Sequence, residues 1–333
     1  MKNKPPEEAN ELLVQLYALS HEQPIEGFQN AALILLKPVI AFDAAIWGTA
    51  TTGLGGIDIH TCHLHNKTPE MVADYEEVKH LDSASSSMFE RPKATMAFQT
   101  NAFFAGRDKR PIRDFMTKFE QPHFVLSTDL KAQASGASSL LHWLTLYRAK
   151  QGAHYDATDV KRLHLLAPHL KQALALNRAS YLGKTAATRD GRSLRATAIV
   201  DSKGFILSHD DQLMALVSKA CGEDYTKSMQ LPPELVAQLS SGKKVCIWQH
   251  LVVRWHAEHG LIIVKLRTQT VVDTLTDRER EIALLVAKGR TYKQVAGDLC
   301  KAPATVRNQI QKIYSKLEVK NIAELVEALL DVR

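Results

Sequence analysis

The hydrophobic pattern is sharpest at the end of the chain. Val306, Ile310, Ile313 and Leu317 recur at intervals of four, three and four, which draws one apolar stripe along a helix. Ala304, Asn308, Gln311 and Ser315 fall on the opposite side, with Arg307 on one flank and Gln309, Lys312 and Lys316 on the other. Before this helix, Ile282, Leu285 and Val286 keep helical spacing, and Val295 and Leu299 share a further face. Thr276-x-x-Glu279, Thr291-x-x-Gln294 and Asn321-x-x-Glu324 each have the spacing of a capping box, in which a side chain and a backbone amide satisfy each other reciprocally. Gly289 stands where a left-handed cap is expected, and Pro303 suits a first helical position. The spacing predicts four short helices over 274–333.

Upstream the pattern mixes two periods. Helices are predicted at 7–20, 26–39, 69–79 and 156–178, the last containing Pro168, where a kink is expected rather than a break. Strands are predicted at 44–51 and 57–64 around the turn signal Thr52 to Gly56, then at 123–128 and 139–148; Ser83 to Ser87 reads as a loop. A second mixed stretch follows. It has strands at 197–200 and 205–208 about the turn Asp201-Ser202-Lys203-Gly204, helices at 211–221 and 233–239, and strands at 245–249, 251–256 and 261–266. The expected organisation is multidomain: an α+β unit at 1–182, a small, polar linker at 183–194, a second α+β unit at 195–270, and an all-α four-helix unit at 274–333.

Composition alters this picture at a few points. Lys+Arg 42 against Asp+Glu 36 gives a net charge of +6, and residues 275–333 hold eleven basic and eight acidic residues, half of that excess in under a fifth of the length. A basic bias concentrated beside an exposed helix suits a polyanion. No acidic residue interrupts 305–317, so amide and guanidinium donors could meet base edges while ammoniums meet phosphates. A solvated bundle face would have the same look. The four cysteines are scattered without a Cys-x-x-Cys pair and read as reduced thiols of a cytoplasmic protein. The N-terminus has no signal-peptide pattern, and the apolar run 31–42 is too short to span a bilayer. His60, Cys62, His63 and His65 look like metal ligands, but strand alternation puts His60 and Cys62 on one face and His63 and His65 on the other, so no metal is expected. No phosphate loop, Gly-x-Ser-x-Gly elbow or metal-spaced His/Glu set is present, and neither an enzyme nor a cofactor is expected.

The C-terminal string resembles the LuxR/GerE-type helix-turn-helix, matching it at Leu275, Thr276, Arg278, Glu279, Gly289, Val295, Ala296, Leu299, Thr305, Val306, Lys316, Leu317, Val319, Ala323, Glu324 and Leu325. Ala302, Gln309 and Ile322 depart from the family's usual Ser, His and Arg. The resemblance implies that Arg307, Asn308 and Gln311 meet bases and that Thr291, Lys293, Thr305 and Lys312 hold phosphates of double-stranded DNA. It also implies a homodimer through Leu325, Val326, Leu329 and Leu330. Residues 42–56, 68–82 and 143–174 resemble GAF-like sensor domains, which cup a small molecule; Trp47, Tyr75 and Trp143 would line that pocket and Asp82 would anchor a polar group. Acyl-homoserine-lactone receptors carry a Trp-x-x-x-Tyr pair and then Asp-Pro. Here Met71 and Tyr75 precede Asp82-Ser83 at a shorter spacing, so that ligand is not expected. Residues 198–216 resemble the opening of a PAS-like domain. The expected function is a one-component DNA-binding transcription regulator whose N-terminal domains sense or transmit a signal, a small molecule being the expected one, to the C-terminal helix-turn-helix. The alternative is a ligand- or redox-sensing interaction protein with weak or no DNA binding.

Overall fold

The computed structural model describes residues 5–53, 56–89, 91, 93–131, 140–186, 195–222 and 229–330. Two helices, α1 (Pro5–Glu22) and α2 (Phe28–Leu36), precede the hairpin β1 (Ala44–Gly53) and β2 (Gly56–His65). Then come α3 (Pro69–Val78), α4 (Ser83–Phe89), β3 (Lys93–Gln99), α5 (Thr100–Phe103), α6 (Arg110–Lys118), β4 (His123–Lys131) and β5 (Leu140–Arg148). The strands form one antiparallel sheet in the order β2-β1-β5-β4-β3. Both faces are covered. Ala45, Trp47, Val125, Leu144 and Leu146 pack on α1, α2 and the long helix α7 (Ala157–Ala186). Ala44, Ile46, Phe124, Leu126 and Tyr147 pack on α3, α4 and α6. Each face takes alternate residues of a strand, as the pleat requires.

The second unit repeats that topology. Its strands β6 (Arg195–Val200), β7 (Ile206–His209), β8 (Val245–Trp248), β9 (Leu251–Glu258) and β10 (Leu261–Thr268) lie in the order β7-β6-β10-β9-β8. Numbered within each sheet, both read 2-1-5-4-3. Helices α8 (Gln212–Cys221) and α9 (Pro233–Leu239) cover one face. The other face is covered by the end of α7, where Leu182 packs with Ile25, Ile199, Leu261 and Ile263. The helix α7 therefore belongs to both units. It passes Pro168 without ending and continues beyond the expected stop at 178.

A 3-10 turn, Val271–Thr274, leads into α10 (Asp277–Ala287), α11 (Tyr292–Asp298), α12 (Pro303–Leu317) and α13 (Ile322–Leu330). These four helices share a core of Ile282, Val286, Val295, Val306, Ile313, Leu317, Leu325 and Leu329.

Three expectations need correction. Ser83 to Ser87 is helical, because Asp82 caps α4 by accepting the Ser85 amide at 3.0 Å. Strand β3 and helix α6 were not expected, although Ala94, Met96 and Phe98 alternate and Ile112, Phe115 and Met116 keep helical spacing. Residues 183–186 of the expected linker belong to α7, and the remainder lies outside the described residues.

Candidate functional site

The C-terminal unit builds its outer surface on the predicted caps. Thr276 accepts the Glu279 amide at 3.3 Å while the Glu279 carboxylate accepts the Thr276 amide at 2.9 Å. Thr291 and Gln294 repeat the exchange at 3.4 and 2.9 Å, and Asn321 accepts the Glu324 amide at 2.9 Å. Gly289 takes φ +81. Lys316 bonds Glu279 at 2.9 Å, tying α12 to α10; the Thr276 amide and then Lys316 hold that carboxyl below its usual range. With Val306, Ile313 and Leu317 turned inward, Thr305, Arg307, Asn308, Gln311 and Lys312 are all exposed on α12. Thr291 and Lys293 are exposed at the start of α11. All seven expected DNA contacts thus lie on open surface, although the Thr291 hydroxyl is already engaged with Gln294. Ala302 makes no side-chain cap to α12.

The dimer expectation changes in detail. Leu325 and Leu329 are buried in the unit's own core, since every helix of so small a bundle must give its most central stripe to its neighbours. Ile322 and Leu330, each about half exposed, together with half-buried Val326, are what α13 offers outward.

In the first unit a cavity lies between the sheet and helices α3, α4 and α6. Its wall is largely apolar. Tyr75, Asp82 and Trp143 line it together. Trp47 does not. It is odd in β1 where Ile46 is even, so the pleat turns its ring to the opposite face against Phe28, 6.4 Å between centroids. The Tyr75 hydroxyl donates to Asp82 Oδ2 at 2.8 Å and Ser85 Oγ donates to the same oxygen at 2.6 Å. Burial first and then the Asp82 charge push the Tyr75 hydroxyl well above its usual pKa. Asp82 is therefore heavily occupied by its own neighbours. The buried Trp143 Nε1 and Thr128 Oγ1 have no hydrogen-bond partner among the described residues, and both residues line the cavity. An unsatisfied donor in the wall of an apolar hollow suits a neutral molecule bearing an acceptor such as a carbonyl. Thr128 escaped sequence reading, since a Thr on a strand carries no signal until the register is known.

The histidine cluster on β2 also differs from its expected arrangement. Pairing with β1 runs Thr49 to Thr61 and then Ala50 to Ile59, so His60 is the extra residue of a bulge. The bulge resets the alternation. Cys62 faces the cavity, while His60 bonds Thr51 and Asp201 and His65 bonds Asn30. Burial pushes the Cys62 thiol up to about 12, which makes it a poor nucleophile.

Comparison with known proteins places the C-terminal unit. Residues 273–329 match the family described as bacterial regulatory proteins, luxR family. The spore germination protein GerE of Bacillus subtilis (strain 168) is 41% identical over 56 residues, which cover 17% of this chain and 76% of GerE. This chain belongs to the luxR family. The transcriptional regulatory protein DesR of the same organism is 50% identical over 52 residues, 16% of this chain and 26% of DesR, so the chain spans about a quarter of that relative's length. The crystal structure of CepR2 from Burkholderia cenocepacia, an N-acylhomoserine lactone dependent LuxR family transcription factor, aligns with 50% of this chain and 93% of its own. Its identity of 14% and TM-score of 0.36 are too low to carry an argument about fold or ligand. Ahead of its luxR-type unit the chain carries a large N-terminal part built on two antiparallel sheets. No helix among the described residues is long and apolar enough to cross a membrane.

Proposed function

We propose that this luxR-family chain is a one-component transcription regulator that binds double-stranded DNA through α12 and answers to a neutral small molecule held in the first unit. The observation that carries the reading is the outer face of α12. Arg307, Asn308 and Gln311 are exposed side by side, with Thr305 and Lys312 beside them for phosphates. The first unit is read as a GAF-like sensor and the second as a PAS-like module. Supporting this are the strand order 2-1-5-4-3 in each and the largely apolar cavity in the first. Pairing through Ile322, Val326 and Leu330 would present two copies of α12 to half-sites about one helical turn apart.

The test is a titration of the full chain with a duplex selected from a random library and with an unselected duplex, at several salt concentrations. Arg307→Ala should cost roughly 1–3 kcal/mol on the selected duplex and little on the unselected one. Lys312→Ala should weaken both alike and reduce the salt slope by about one. Equal losses on both duplexes for Arg307→Ala would remove its base-reading role, and no salt-dependent binding at all would sink the DNA reading. For the cavity, mass spectrometry of material extracted from the purified chain should find a neutral compound that Trp143→Phe binds more weakly.

A further inference from the structure

Beside the apolar contact of α7, a buried polar contact at His60 joins the first two units. The His60 side chain is fully buried at the unit boundary. Its Nε2 bonds Thr51 Oγ1 at 2.9 Å within its own sheet, and its Nδ1 bonds Asp201 Oδ2 at 3.0 Å across the boundary. The ring stacks on Phe205, 4.9 Å between centroids and 29° between planes. Asp201 is as firmly held on its own side, since its Oδ1 accepts the amides of Lys203 and Phe205 at 2.9 Å each and so shapes the β6–β7 turn. Buried Arg178 of α7 supplies the counter-charge. Burial lowers its pKa to about 10, and Asp201 opposes that fall. At the rim Asp58 takes Lys79 at 3.0 Å and Lys203 at 3.3 Å, one lysine from each unit.

The bulge gives this contact a second face. Ile59 and Cys62 bracket the bulge and line the cavity, while His60 between them points away from it to Asp201. His60 is thus joined by backbone on both sides to residues of the cavity wall. From the β6–β7 turn the path is continuous. Strand β6 pairs along its length with β10, and Arg267 near the end of β10 holds Asp273 bidentately at 2.6 Å, just ahead of the DNA-binding unit. Buried groups with fixed partners on both sides transmit displacement because neither can move without losing a hydrogen bond.

We propose that His60 is a coupling latch, a positioning residue through which the state of the cavity wall sets the docking of the second unit. As a sensing device it rests on the ligand reading above, but its test needs neither ligand nor DNA. Ile59→Ala alters only the cavity side of β2. Hydrogen–deuterium exchange on the full chain should show that Ile59→Ala speeds exchange in 199–209 roughly five-fold or more, as expected when a buried hydrogen bond opens more often. In a His60→Gln or Asp201→Asn background the same cavity change should alter exchange there less than about two-fold, the local opening being uncoupled. His60→Ala serves if Gln restores the bond, which would itself appear as retained coupling in His60→Gln alone. The latch is overturned if Ile59→Ala leaves 199–209 unchanged in the otherwise native chain. It is equally overturned if the response is the same size with the His60–Asp201 contact removed. Failure of the extraction experiment would count against the ligand and leave this outcome standing.

Discussion

Gly48 shows how much of the first unit depends on a single missing side chain. A Cβ there would stand 2.0 Å from the Thr61 carbonyl oxygen and 3.1 Å from the Trp143 ring. The bulged β2 can approach β1 only because position 48 is bare. Gly48→Ala should therefore destabilise the unit by roughly 2–3 kcal/mol, read from urea midpoints, because backbone as well as side chain must give way. At this scale the sequence was only partly legible. Tyr75, Asp82 and Trp143 were recoverable as cavity residues because aromatics and a buried acid stand out in a chain. Trp47 was not, since its side of the sheet depends on where the strand's alternation begins. His60 was misplaced for a related reason: a bulge is a pairing event between two strands and leaves no mark on one of them.

Elements were more legible than residues wherever a local signal closes on itself. Two of the three capping boxes of the C-terminal unit form as spaced, because each is a contract between residues three apart. At the third Asn321 caps the Glu324 amide, but the Glu324 carboxylate accepts the Lys320 amide and the Asn321 side chain instead of the Asn321 amide. Helix α9 matches its expected bounds for the same reason, a proline at its start and a polar stop at its end. Helix α4 was missed because serines favour caps and turns, and it is held by Asp82 and by Met88 in the core instead. The one helix of the last unit lacking a side-chain cap where the pattern wants one is α12. Ala302→Ser should stabilise that unit by about 1 kcal/mol, visible as a higher thermal midpoint with no change in base preference. A loss of stability would mean that the backbone before Pro303 cannot orient a capping hydroxyl.

Across the whole molecule, the joints decide behaviour. Burial pushes the Asp273 carboxyl up, but the Arg267 guanidinium and the Thr270 amide and hydroxyl outweigh it and hold it below the ordinary range. A carboxyl held low in the folded state stabilises it fully above the ordinary carboxylate pKa and loses that contribution as the pH falls through the depressed value. Arg267→Ala should cost about 2–3 kcal/mol at neutral pH, less than for a fully orphaned buried ion because Thr270 still donates. Its stability should then fall less steeply below about pH 4 than that of the native chain, as urea titrations across pH would show. A double substitution, Ile322→Asp with Leu330→Asp, should leave the fold intact and weaken binding to two-site DNA far more than to a single half-site. Equal weakening on both would assign α13 no role in pairing.

The helix α7 has a last implication. Thirty residues long, about 45 Å at the usual rise, it lies on the first sheet with Leu163, Leu170 and Leu174 and on the second with Leu182. A cut anywhere before its final turns would leave Ile199, Leu261 and Ile263 open to water, and a cut after them would keep with the first unit a helix end that has nothing to cover. The first and second units are in this sense not beads on a string. They share a rafter, and neither roof stands if it is sawn through.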